Sequence, residues 1–305
     1  MSVFFTLLDK MLPLYGLVVL GYIAGKYLKV QKDSVAVLLI YVIVPVVVFM
    51  AVATTKINSA TIGIPLVFFL ICCFMSVVTY YLAGFIWKDA TRNIVGFIAG
   101  SANSGYFGLP VAVALFGSSA VAPVALTVIG TSIYNNSFGF YMVARGRHTT
   151  KESLEKLLKL PVLYTFVAGV IASYAGLHFN ATYTSIATDF NGAFIVLGMM
   201  LVGMGLADIK KFEFDLKFLS VSLIAKFAIW PLVTIGLLAL DSHTLKIFDP
   251  SIHKILILMA IVPVAANTVS YATVLKTEPE KASLAVFIST LFALFYVPAI
   301  AALYF

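Results

Sequence analysis

Two short stretches decide the fold: residues 100–110, which read GSANSGYFGLP, and residues 263–271, which read PVAANTVSY. The first stretch combines three glycines, two serines, an asparagine and a proline in the middle of a long apolar segment. Glycine relaxes a helix, and proline lacks the N–H group that a helix interior needs. Each stretch therefore predicts a helix that breaks and then resumes.

The composition places these breaks inside a membrane. Of the 305 residues, 62% are hydrophobic and 11% charged, and the mean hydropathy is +1.05. Soluble globular domains are about half apolar and about a quarter charged, so this class of protein is excluded. A helix needs about 20 apolar residues to cross a bilayer, and ten such helices fit the length. The sequence predicts an all-α polytopic membrane protein with no separate soluble domain.

Apolar windows predict ten spans. They cover residues 10–28, 35–54, 63–87, 91–116, 120–144, 161–177, 190–206, 218–240, 252–276 and 282–304. Fifteen of the 20 Lys and Arg residues lie in loops on one side of these spans, and four lie on the other. This bias predicts that the basic side is cytoplasmic and that both termini lie outside, in an inner cell membrane. The net charge of +7 then needs no nucleic-acid partner.

The two halves of the chain look alike. In span one, Gly21 follows Pro13 by eight residues, and in span six Gly169 follows Pro161 by eight residues. The two broken stretches fall in spans four and nine, which correspond in the same way. We therefore predict two five-helix repeats, residues 1–144 and 161–305, joined by a short cytoplasmic loop at 145–160. Because five is odd, the second repeat must be inverted relative to the first, as in many secondary transporters.

A broken backbone in lipid leaves polar groups unpaired, so it persists only within protein or beside a cavity. The two breaks are expected to cross at the centre, where half-helix N-termini suit an anion such as a carboxylate. The predicted substrate-binding residues are Asn103, Ser104, Asn267, Thr268 and Asn136. Small residues and asparagines also serve plain helix packing, which is the alternative interpretation.

Three further residues are predicted to shape the breaks: Gly108, Pro110 and Pro263. Lys226 is the one basic residue inside a span. Its ammonium either snorkels to the interface or acts as a counter-charge that draws an anion into a cytoplasmic vestibule.

No Asp, Glu or His falls in the middle of a predicted span, and proton-coupled antiporters need such a carboxylate. Movement of the anion as a uniport or driven by the membrane potential is therefore favoured. A sodium or proton site built from carbonyls and hydroxyls stays open as the alternative. The spans hold no nucleophile with a base, so no catalytic residues, metal or cofactor are predicted.

The motif Asn103-x4-Gly108-Leu109-Pro110, with Asn267 as its counterpart, resembles the auxin efflux carrier family, which includes plant auxin exporters and bacterial malonate and malate permeases. The resemblance extends over essentially the whole chain. It implies a fold similar to bile-acid sodium symporters and sodium/proton antiporters. Spans 1, 2, 6 and 7 would form a scaffold, and spans 3–5 and 8–10 would move as an elevator. The resemblance also implies a homodimer formed through the scaffold.

The chain departs from the plant members, which place proline directly before each crossover asparagine, where this sequence has Ala102 and Ala266. The leading prediction is an efflux carrier or permease for a small organic anion, and malate, malonate, indole acetate or another weak acid would suit it. The alternatives are a sodium- or proton-coupled symporter, an intramembrane enzyme, and a channel or receptor.

Overall fold

The computed structural model describes residues 3–54, 59–207 and 215–305, and this part of the chain is helical without any strand. The helices are α1 Val3–Lys26, α2 Lys32–Leu38, α3 Val44–Ala53, α4 Ser59–Ala83, α5 Thr91–Gly100, α6 Leu109–Phe116, α7 Val121–Tyr134, α8 Phe140–Ala144, α9 Thr150–Leu158, α10 Pro161–Tyr174, α11 Ala181–Ala207, α12 Leu216–Ile224, α13 Trp230–Leu240, α14 Pro250–Ala260, α15 Asn267–Val274 and α16 Pro279–Tyr304.

Within the described ranges, five helical segments are long and apolar enough to cross a membrane. They are Lys32–Ala53, Gly63–Ala83, Ala181–Ala207, Leu216–Thr244 and Pro279–Tyr304. The pair α9 and α10, bent by 47°, would add a sixth if it counted as one segment. The four helices α5, α6, α14 and α15 are too short to qualify because each is one piece of a broken helix. The protein is therefore an integral membrane protein by its helix composition.

Several long helices contain a π-helical turn, in which one extra residue is accommodated. These turns are Leu39–Ile43, Ser104–Gly108, Asn135–Gly139, Ala225–Ile229 and Asp241–Leu245. The first, second and fourth precede a proline by two residues, at Pro45, Pro110 and Pro231. A proline cannot donate to the carbonyl one turn earlier, so the shifted register absorbs the missing hydrogen bond.

Two helix pairs pack closely through glycines. α1 packs against α11, and a Cβ atom on Gly21 would collide with the backbone of Met200. α10 packs against α3, and a Cβ atom on Gly169 would lie 3.0 Å from the backbone oxygen of Phe49. Small residues let helix backbones approach in this way. The two glycines that the sequence comparison paired therefore make similar contacts.

Two segments are more helical than the sequence predicts. The predicted loop at 145–160 contains α9, which Thr149 and Glu152 begin as a capping box. α11 begins at Ala181, nine residues before the predicted start of span seven, because the side chain of Asn180 accepts from the N–H groups of Thr182 and Tyr183. Apolar windows miss both starts because the first turns are polar, whereas caps of this kind begin helices irrespective of hydropathy.

Candidate functional site

The first break separates α5 from α6. α5 ends at Gly100, and Ser101 is extended, with φ −86° and ψ 149°. The chain turns helical again at Ser104, and Pro110 is the second residue of α6. Gly100 allows the close approach at this end, because a Cβ atom there would collide with the hydroxyl of Tyr134 and the carbonyl of Cys72. The predicted end and restart of the helix are both found here.

The second break separates α14 from α15 and covers residues 261–266, with Pro263 at its centre. The backbone N–H of Val264 donates to Ser289 Oγ of α16 at 3.2 Å. The predicted stretch 263–271 overlaps this break at residues 263–266, and its remaining residues lie in α15. Helix resumes at Asn267, because the N–H groups of Thr268 and Val269 already bond to the carbonyls three residues before them.

The two breaks meet in space, as the sequence predicts. The backbone N–H of Asn103 donates to the carbonyl oxygen of Pro263 at 2.9 Å. On the far side of the first break, a Cβ atom on Gly108 would lie 2.7 Å from Met259 Sδ of α14. Gly108 and Pro263 thus lie at the contact between the broken helices. The unpaired backbone of each break is partly satisfied by the other.

Buried polar atoms without a hydrogen-bond partner collect at this crossing. Asn103, Ser104 and Thr268 are buried, and Asn267 is half-buried. Within the described residues, Ser104 Oγ, Asn267 Oδ1 and Thr268 Oγ1 have no partner. An unpaired buried polar group costs about 1–3 kcal/mol. A polar ligand at the crossing would therefore stabilise these groups.

Buried atoms of the same kind also occur outside the predicted site residues, and sequence reasoning missed those of Ser270 and Thr273. Asn135 Oδ1, Ser270 Oγ and Thr273 Oγ1 are also buried without a partner in the described chain. Ser270 and Thr273 lie on α15, the half-helix that begins at Asn267. Their signal in the sequence was available, since hydroxyl residues recur along a helix that is otherwise apolar.

The crossing is also where two half-helices begin. The N–H groups in the first turn of a helix have no partner within that helix, and they carry a partial positive charge. The turn at Ser104 presents such an end, whereas in α15 the N–H groups of Thr268 and Val269 already bond to preceding carbonyls. Together with the hydroxyls of Ser104 and Thr268, these groups suit an anion.

Lys226 lies at the first break. Its side chain is fully buried, and Nζ donates to the carbonyl oxygen of Ser101 at 2.9 Å. The same atom lies 3.2 Å from the centre of the Trp230 ring. The snorkelling interpretation is wrong, because the ammonium is directed at the break and not at the interface. The role of Lys226 as a counter-charge in a cytoplasmic vestibule stays a prediction.

Asn136 makes two contacts within the protein. Its Oδ1 accepts from Tyr271 Oη at 2.7 Å, and its Nδ2 donates to the carbonyl of Ser132 at 2.8 Å. The side chain thus ties the π turn after α7 to α15. Its predicted contact with substrate would have to compete with these bonds.

An aromatic cluster joins helices α5, α7, α8 and α15. Tyr271 makes edge-on contacts with Phe97 and Phe140, with ring centres 5.8 Å apart in each pair. Tyr134 stacks on Phe97 at 5.7 Å and donates its hydroxyl hydrogen to the carbonyl of that residue at 3.2 Å. Tyr134, Phe97 and Tyr271 are fully buried. This cluster fixes α5, α7 and α15 relative to one another.

The described residues show no group of three or more His, Cys, Asp and Glu side chains that could hold a metal ion. Cys72 and Cys73 are free thiols.

Residues 6–156 match a family described as "Membrane transport protein", the auxin efflux carrier family. The predicted resemblance to that family is confirmed. Residues 192–305 match the "Sodium Bile acid symporter family", the family whose fold the resemblance implied.

A relative of similar length supports the same conclusion. An uncharacterized transporter of Methanocaldococcus jannaschii is 25% identical over 299 residues, covering 94% of this chain and 95% of the relative. Both family matches and this relative point to membrane transport rather than to catalysis.

Proposed function

We propose that this chain is a secondary transporter for a small organic anion, with the substrate held where the two broken helices cross. The observation that carries the proposal is the hydrogen bond from Asn103 N–H to the Pro263 carbonyl, which joins the breaks. Unpartnered atoms belong to Ser104, which follows Asn103 directly, and to Asn267 and Thr268, which follow the second break.

A small carboxylate matches the chemistry of the crossing. It accepts hydrogen bonds only, and the crossing offers as donors the hydroxyls of Ser104 and Thr268, the Nδ2 group of Asn267 and the helix N-terminus at Ser104. The nearby ammonium of Lys226 adds a positive charge. Malate, malonate or an aromatic acid such as indole acetate would each present the carboxylate that these donors require.

For the architecture, we propose ten spans in a 5+5 inverted repeat, residues 1–144 and 161–305. The reciprocal packing of α1 on α11 and of α10 on α3 supports this arrangement, since spans one and six would each contact the second span of the other repeat. The paired glycines Gly21 and Gly169 lie at these two contacts. A pseudo-twofold axis would produce this reciprocity.

For the mechanism, we propose an elevator. Spans 1, 2, 6 and 7 would form a scaffold that also makes a homodimer, and spans 3–5 and 8–10 would carry the site across an inner cell membrane. Both termini would lie outside, with the loop at 145–160 in the cytoplasm. The hydrogen bonds of α15 to the turn after α7, and of α12–α13 to α5 and α16, support the movement of these helices as one body.

A sodium-coupled symporter is the second candidate. The match of residues 192–305 to the sodium bile acid symporter family favours it. Dependence of uptake on a sodium gradient at clamped voltage distinguishes the two candidates.

The test is uptake of radiolabelled carboxylates into proteoliposomes by wild-type protein, Asn103→Ala and Asn267→Ala. Loss of a hydrogen bond to a charged group costs about 1.5–3 kcal/mol, so apparent affinity should fall about ten- to a hundredfold. Asn93→Ala is the matched control, because Asn93 is a buried asparagine of α5 that donates to the carbonyl of Met142 away from the crossing. Unchanged transport by both crossover variants would contradict the proposal.

A further inference from the structure

Resting on the proposed function, we infer that the ammonium of Lys226 occupies the position of a coupling cation at the crossing, so that transport needs no sodium. The lysine thereby determines the ion specificity of the carrier. The inference begins from the contacts of Nζ, which are a carbonyl oxygen at a helix break and the face of an aromatic ring.

The bonded carbonyl is the one that a cation would select. Ser101 directly follows the last residue of α5. Its hydroxyl and its backbone N–H both donate to the carbonyl of Ile98. The carbonyl of Ser101 is the group at this helix end that accepts from Lys226. The C-terminal end of a helix carries a partial negative charge. In secondary transporters, unwound carbonyls and half-helix C-terminal ends of this kind coordinate sodium.

The remaining surroundings of Nζ also suit a monovalent cation. The face of an aromatic ring attracts a cation electrostatically, and tryptophan, the residue type of Trp230, does so more strongly than tyrosine or phenylalanine. In the described part of the chain, no carboxylate forms an ion pair with Lys226. The break and the ring are thus the groups that compensate the buried charge, and they would do the same for a sodium ion.

The backbone around Lys226 holds the ammonium in place. Lys226 lies in the π turn Ala225–Ile229, which re-aims its side chain relative to a regular helix. Tyr296 of α16 donates its hydroxyl hydrogen to the carbonyl of Phe227 at 2.6 Å. The rings of Phe227 and Phe292 lie 4.8 Å apart. A tethered ammonium therefore stays with the break at every stage of transport, whereas a sodium ion would bind and leave.

This arrangement explains how the chain can match a sodium symporter family without needing sodium itself. The matched segment 192–305 contains Lys226 and the second break. The chain shares the general build of a sodium-coupled carrier, but it supplies the positive charge from its own side chain. We expect wild-type uptake to be independent of sodium.

The experiment compares wild-type protein, Lys226→Gln and Lys281→Gln in sodium chloride and in N-methylglucamine chloride. Lys281 is the matched control, because it is a half-buried lysine that donates to Thr91 at the other end of α5. The readouts are the unfolding temperature in detergent and uptake into proteoliposomes at clamped voltage. Wild type and Lys281→Gln should behave alike in both salts, within about twofold in rate.

Lys226→Gln should unfold at a lower temperature without sodium and recover as sodium is added, because a cation that binds only the folded state stabilises it. A wild-type requirement for a sodium gradient overturns the inference. Absence of a sodium response in Lys226→Gln also overturns it, whether that variant is folded in both salts or in neither. The unfolding readout needs no substrate, so a failure of the carboxylate proposal would be seen separately as absent uptake.

Discussion

The two helix breaks meet at one crossing but differ in their chemistry. At the first, the carbonyl of Ser101 is bonded by a fully buried ammonium, Lys226. At the second, the carbonyl of Pro263 is bonded by the backbone N–H of Asn103, and the N–H of Val264 donates to the hydroxyl of Ser289. One break is held by a charge and the other by neutral groups.

This difference suggests that the two breaks have different roles in the site. A neutral hydrogen bond contributes about 1 kcal/mol, whereas one to a charged group contributes about 1.5–3 kcal/mol. The first break is therefore expected to be the more rigid and to set the charge of the site. The second, with its unpartnered Asn267 and Thr268, is expected to adapt to the substrate.

The largest effect is expected where the first break is packed most tightly. Gly100→Val would force side-chain atoms against the Tyr134 hydroxyl and the Cys72 carbonyl. Overpacking of this kind should lower the free energy of unfolding by about 3 kcal/mol. The corresponding end of α14 is Ala260, which already has a Cβ atom, and Ala260→Gly should cost only about 1 kcal/mol. Denaturation in detergent measures both, and equal losses would remove the contrast between the breaks.

A middle-sized effect is expected at the tie between α15 and the turn after α7. Tyr271→Phe would leave Asn136 Oδ1 buried without its donor, at a cost of about 2 kcal/mol. Because this bond is internal, we expect lower stability with unchanged affinity for the transported anion. Thermal unfolding and a binding titration on the same sample separate the two quantities. A selective loss of affinity would instead place Asn136 in the substrate site.

The smallest effect is expected at the neutral support of the second break. Ser289→Ala removes the acceptor for the Val264 N–H, a loss of about 1 kcal/mol. The unfolding temperature should fall less than in Lys226→Gln measured without sodium. A fall as large as that of the lysine variant would mean that charge does not distinguish the two breaks.

Much of this arrangement could be predicted from the sequence because the signals are local. Glycine, asparagine and proline inside apolar segments predicted both breaks, although the second ends earlier than its predicted stretch, since helix resumes at Asn267. The capping box at Thr149 carried a sequence signal for α9, although hydropathy did not reveal it. Local patterns thus defined the elements and most of the candidate site.

Contacts between distant residues could not be predicted in the same way. The partner of Lys226 lies 125 residues away in the chain, and that of Asn136 lies 135 residues away. The π turn that aims Lys226 has no sequence signature apart from the later Pro231. A single sequence gives the type of a buried polar residue, but its partner depends on tertiary packing.

The most direct measurement of the central claim is a thermal-shift titration of purified wild-type protein and Asn103→Ala with a panel of small mono- and dicarboxylic acids. A ligand that binds only the folded state raises the unfolding temperature in proportion to its occupancy. We predict that at least one acid stabilises the wild type in a concentration-dependent manner and stabilises Asn103→Ala much less. Equal stabilisation of the two proteins by every acid that binds would contradict a carboxylate site at the crossing.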